Sequence, residues 1–85
     1  MATFRKVITD QYVDILVPVD KPVYIQNRGS ATVEIYLGAS TPHSGTEGLT
    51  LEPGQLGLNF ALEAEEACYI KTEVSGKTSQ IVGVH

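Results

Sequence analysis

The chain has no tryptophan, one cysteine, one methionine and two histidines among its 85 residues. A lone Cys68 excludes an intrachain disulfide. With only His43 and His85 beside it, a structural metal site lacks its usual donors. No apolar run approaches the ~18–20 residues of a membrane span. The opening MATFRKVITDQYV lacks the continuous apolar segment of a secretory signal. Both absences lead to the expectation of a protein made and kept in a cytoplasm, or released from one by lysis. Basic residues are few: six Lys and Arg against ten Asp and Glu give a net charge of −4. Arg5, Lys6, Lys21 and Arg28 balance Asp10, Asp14, Asp20 and Glu34 in the first 40 residues. The acidic excess therefore lies in residues 41–85 (Glu47, Glu52, Glu63, Glu65, Glu66 and Glu73 against Lys71 and Lys77). Without a basic stripe there is no electrostatic footprint for nucleic acid, and an anionic membrane repels such a chain.

A chain this short buries about 60–65% of its unfolded surface, and small folds usually need a disulfide, a metal or association to hold. Association is the remaining option. Helix signals are confined to residues 61–67, ALEAEEA, too short to stand as an isolated helix and read here as a loop with at most a helical turn. Strand signals recur at 4–8, 12–17, 23–27, 32–38, 49–52, 55–60, 67–74 and 78–84, bounded by Gly, Pro, Asn and Asp. About eight short strands at near-regular spacing predict one all-β domain over 1–85, a small antiparallel β-sandwich of jelly-roll-like form. Residues 1–11 read as an edge strand or an N-terminal arm, and 38–48, GASTPHSGTEG, as one polar loop.

The segment VYIQNRGSATVEIYLG, residues 23–38, alternates twice around a polar patch. Its pattern predicts a hairpin pairing Ile25 with Ile35 and Val23 with Leu37. That register sets Tyr24 opposite Tyr36 and Gln26 opposite Glu34 on the outer face. In LTLEPGQLGLNF, Pro53 and Gly54 suit the centre of a type II turn, either within a hairpin or at a corner between two sheets. Leu49, Leu51, Leu56, Leu58 and Phe60 then share a face. TEVSGKTSQIVGV reads as a further hairpin around Gly76, with Ile70, Val82 and Val84 turned inward.

Chemistry is sparse. Cys68 lies among apolar neighbours and reads as a small buried hydrophobe; His43 reads as solvated and His85 as frayed. Glu63, Glu65 and Glu66 form a solvated run, the aspartates lack a calcium-loop spacing, and the glycines form no phosphate loop. No catalytic, cofactor-binding or metal-binding residue is expected. An interaction surface is better supported. Tyr24 and Tyr36 fit a partner interface, where tyrosine is enriched, or a cross-strand pair that only stabilises the sheet. Arg28, Arg5 and Lys6 could meet acidic groups of a partner.

The run from VYIQNRGSATVEIYLG through LTLEPGQ to YIKTEVSGKTSQIVGV resembles small β-sandwich virion proteins of tailed bacteriophages, including the decoration, or cement, proteins that stud capsids. The resemblance covers about residues 23–84 and rests on turn chemistry and alternation. It implies a jelly-roll-like fold, no catalysis, no cofactor, and a homo-oligomer, a trimer being favoured. It also implies binding to the major capsid protein of the same phage at the outer shell, after a passage through the host cytoplasm. The alternatives are a receptor- or glycan-binding module of a tail or fibre and a soluble cytoplasmic regulatory protein.

Overall fold

The structure is a computed structural model, described for residues 2–43 and 45–85. Eight strands form it: β1 (Thr3–Ile8), β2 (Val13–Asp14), β3 (Pro22–Asn27), β4 (Val33–Gly38), β5 (Leu49–Leu51), β6 (Leu58–Ala61), β7 (Ala67–Thr72) and β8 (Ser79–Val84). They make two four-stranded antiparallel sheets, ordered β1-β8-β3-β6 and β2-β7-β4-β5. This is the eight-stranded, two-sheet arrangement of a jelly roll. No helix occurs among the described residues; the ALEAEEA segment makes a tight turn in which Glu66 N–H donates to the Glu63 carbonyl at 3.1 Å.

Alternation makes the core. Val23 and Ile25 from one sheet face Val33 and Ile35 from the other, each at most 2% exposed. Ile8, Ile15, Leu51, Leu62, Cys68, Ile70 and Ile81 complete the cluster. Burying an aliphatic side chain of this kind stabilises by roughly 1.5–3 kcal/mol before chain entropy is counted.

The structure corrects both outer hairpins expected from the sequence. β3 pairs with β6 and β8, whereas β4 pairs with β5 and β7. Ile25 and Ile35 therefore meet across the core instead of along a ladder, and Tyr24 and Tyr36 lie on opposite outer faces. Period-2 alternation turns the same residues inward in either topology, so it cannot distinguish them. β7 and β8 likewise belong to different sheets. Among the described residues, β4 and β5 are the only strands adjacent in sequence that pair.

The crossover from β3 to β4 is held by Asn27, only 2% exposed. Its Nδ2 donates to the carbonyls of Ala31 (2.7 Å) and Leu51 (2.8 Å). Its Oδ1 accepts from Gly29 N–H (3.1 Å) and Ser79 Oγ (2.7 Å). One side chain thus ties the turn to a strand of each sheet. A side chain at Gly29 would run into Ser79 and the Gln80 backbone.

Pro53 and Gly54 form the corner alternative: Gln55 N–H reaches the Glu52 carbonyl at 3.2 Å, Gly54 has φ +77°, and the chain passes from one sheet to the other. Leu51 is buried there, but Leu49 and Leu56 are 61% and 88% exposed, so the expected five-residue apolar face is not formed. The expected strand 12–17 shortens to two ladder residues. Asp14 Oδ1 captures Leu16 N–H at 2.8 Å, and Leu16 turns away at φ 59°. In β8 the inward residues are Ser79, Ile81 and Gly83, and Val82 and Val84 point outward, the reverse of the expectation. Gly83 is inward because the Phe4 ring occupies the place a side chain would take. His85 is not frayed: it exchanges both backbone hydrogen bonds with Ala2.

Candidate interaction surfaces

The outer face of the β1-β8-β3-β6 sheet follows from register. Arg5 lies opposite Val82, Thr3 opposite Val84, Val84 opposite Tyr24, and Tyr24 opposite Asn59. Alternation therefore gathers Val82, Val84 and Tyr24 at its centre, with Val7 at one margin and 64% exposed. The Tyr24 ring is fixed in place. Its hydroxyl accepts from Gln26 Nε2 (3.1 Å) and from Gly57 N–H (3.2 Å). Gly57 has no side chain because one would collide with that ring. Arg28 Nη1 donates to Gln26 Oε1 at 3.3 Å, extending the chain of contacts to the rim. Beside Tyr24 lies a shallow depression of about 300 Å³ lined by Pro22, Val23, Asn59, Val84 and His85.

The opposite outer face, on β2-β7-β4-β5, is more polar and largely satisfied from within. Tyr12, Tyr36, Tyr69, Glu34 and Lys71 project there from three neighbouring segments. Tyr12 OH donates to the Thr46 carbonyl at 2.7 Å, and Gly48 N–H donates to Glu34 Oε2 at 3.3 Å. These two bonds strap the β4–β5 loop across the sheet. Lys71 Nζ stands 4.0 Å from Glu34 Oε2 and 5.6 Å from the Tyr12 ring centroid. Tyr36 meets Tyr12 edge to face at 6.3 Å. Burial, and then the Glu34 carboxylate, push the Tyr12 hydroxyl up to about 12.

Of the five residues singled out in the sequence, Tyr24, Arg5 and Arg28 thus belong to the first sheet's outer side or its rim. Tyr36 is on the other sheet, engaged with Tyr12. Lys6 pairs with Ile81 on the inward-facing side of an edge strand. Sequence reasoning missed the Tyr12–Glu34–Lys71 group because its members meet only when β2, β7 and β4 align. It missed the outward Val82 and Val84 because both faces of SQIVGV carry apolar residues, and only Gly83 marks which one is crowded.

The remaining chemistry-bearing groups stay apart. Cys68 is fully buried, and burial, with a smaller push from Asp14, raises its thiol to about 12. A polar depression of about 280 Å³ holds Asp10, Gln11, Lys71, Thr72, Glu73 and Ser75, but Asp10 is already bonded to Gly76 N–H at 2.9 Å. Among the described residues no group of three or more His, Cys, Asp or Glu side chains is placed to hold a metal ion. No protein-family model, no curated protein and no solved structure matches this chain.

Proposed function

We propose that this protein works by adhesion, as a virion structural component of the capsid-decorating kind that binds the outer shell as a symmetric oligomer. The observation that carries the reading is the apolar centre of the first sheet's outer face, Val82, Val84 and Tyr24. An antiparallel sheet facing water normally turns polar residues outward, and contiguous outward apolar area marks interaction sites. Arg5 and Arg28 at the margins supply charge-assisted contacts to acidic groups of the major capsid protein. Binding only the assembled shell would stabilise that state by mass action, each copy adding RT ln(1 + [L]/Kd). The protein would occupy the capsid surface in the virion and the host cytoplasm before assembly.

The depression beside Tyr24, with Asn59 and His85 on its wall, favours one second reading, a receptor- or glycan-binding module of a tail or fibre. An aromatic face beside amide and imidazole groups suits a sugar. Quantitative mass spectrometry of purified virions from the source separates the two. Copy number comparable to the major capsid protein supports decoration, and a handful of copies supports the tail reading. Complete absence overturns both.

A further inference from the structure

Among the described residues the β1-β8-β3-β6 sheet ends in two open edges, β1 and β6. Ala2 and His85 exchange both backbone hydrogen bonds, at 2.7 and 2.9 Å. Antiparallel alternation then turns the even-numbered residues of β1 toward β8 and leaves Thr3, Arg5 and Val7 aiming their N–H and C=O groups outward. All three are exposed. At the far side, Arg28 N–H bonds the Gln80 carbonyl at 2.8 Å. That fixes the even-numbered residues of β3 toward β8 and the odd ones toward β6. With Val23 opposite Phe60, Asn59 and Ala61 present the outward groups of β6, and both are exposed.

Three features of these edges identify what pairs with them. The β1 edge carries Arg5 and Lys6, whereas β6 itself is uncharged and the turn that follows it holds Glu63, Glu65 and Glu66, so acidic groups lie within reach of the basic edge. The second sheet is narrower beneath them, its edge strands β2 and β5 being two and three residues long. Inward-facing Phe4, Leu58 and Phe60 are consequently only partly buried. Finally, β1 and β6 run in opposite directions within the sheet, because each neighbouring pair is antiparallel.

We infer that copies of this chain associate head to tail, β1 of one adding antiparallel to β6 of the next, so that the sheet continues from copy to copy. Arg5 lies opposite Ala61 and Val7 opposite Asn59, with Arg5 diagonal to Glu63 and Phe4 diagonal to Phe60. Faces match in this register. Arg5 shares its outer face with Val82, and Asn59 shares the same face with Tyr24. The symmetric alternative, β1 against β1, sets Arg5 or Lys6 against its own counterpart in the two registers of greatest overlap, and opposed like charges destabilise a ladder. A heterologous contact of this kind closes as a ring when its rotation permits. Otherwise it grows as an open helical assembly, the outcome toward which sheet twist about the direction of growth leads.

Proline substitutions test the inference without breaking the chain's own ladders. Val7 and Ala61 both lie at positions whose N–H is unused within one copy, where proline is tolerated. Sedimentation velocity of the wild-type chain is expected to give a multiple of its 9.2 kDa mass. Val7→Pro alone and Ala61→Pro alone are each expected to sediment as single chains with unchanged far-UV circular dichroism. Mixed in equal amounts they regain one good edge each and form a 1:1 dimer that cannot grow. A wild-type monomer at millimolar concentration overturns the inference. Assembly lost in Val7→Pro but kept in Ala61→Pro also overturns it, in favour of β1 self-pairing. If either proline variant unfolds, Asn59→Lys, which sets a positive charge against Arg5 and Lys6, must still shift the assembly toward single chains. The inference rests on the sheet edges and not on the virion reading: a chain absent from virions that still assembles through β1 and β6 leaves it standing.

Discussion

Replacing Asn27 with alanine should be among the most damaging single changes in the fold. The side chain makes four hydrogen bonds, two donated and two accepted. An intramolecular hydrogen bond contributes about 0.5–1.5 kcal/mol net, and a buried partner left unsatisfied costs about 1–3 kcal/mol. Gly29 N–H and the Ala31 carbonyl lie in a partly exposed turn and can recruit water. The Leu51 carbonyl and Ser79 Oγ belong to residues only 3% and 6% exposed and cannot do so as readily. Two nearly full penalties and two partial ones sum to about 3–4 kcal/mol. A domain of this size has about 4–13 kcal/mol in total, and the midpoint should fall by about 12–30 °C. Urea denaturation followed by circular dichroism measures the loss. Ser79→Ala should cost about 1 kcal/mol, and the double variant less than the sum, because the two residues share a bond. A loss below about 1 kcal/mol for Asn27→Ala at an unchanged denaturant slope, or strict additivity with Ser79→Ala, would refute this account of the crossover.

Gly29→Ala should cost about 2 kcal/mol or more, since the new methyl meets Ser79 and the Gln80 backbone; thermal melts check it. Tyr24→Ala is expected to abolish particle binding, whereas Tyr36→Ala should chiefly loosen the β4–β5 loop, seen as faster hydrogen exchange near Thr46. Equal loss of particle binding from both would disperse the proposed surface. Stability should fall above about pH 9. The native state holds the Cys68 proton to about 12 while the unfolded chain releases it near 9, so unfolding is favoured once the pH passes the lower value. Tyr12 adds the same sign above about pH 10. Cys68→Ala should remove the part that begins near pH 9, measured by urea midpoints across pH. Alkylation of Cys68 in native buffer should be slow and should accelerate sharply in urea.

Much of the architecture was legible from patterning alone. β1, β3, β4, β5, β7 and β8 fall within two residues of the spans read from alternation and punctuation. The inward sets Val23/Ile25 and Val33/Ile35 were identified correctly. β2 was overextended because YVDILV alternates plausibly, and only the local capture of Leu16 by Asp14 shows where it ends. Tyr24 and Tyr36 were placed outward, as the structure has them, though on one face and not two, and Val82 and Val84 were placed on the wrong side. The strap from Tyr12 to Thr46 was invisible, since it joins residues 34 positions apart through a backbone carbonyl.

By itself the sequence determined an all-β chain of about eight strands, its single cysteine excluding an intrachain disulfide, and most of the residues that fill the core. Those features are local: side-chain alternation, turn chemistry and residue type act within a few positions of the chain. Only the tertiary structure decided which strands share a ladder. It set β3 and β4 on opposite sheets, gave each sheet its outward face, and left β1 and β6 as open edges. Strand partnership depends on hydrogen bonds between segments far apart in sequence and on how two sheets fit face to face. An alternating strand satisfies its own pattern equally well beside a neighbour or across the core from it.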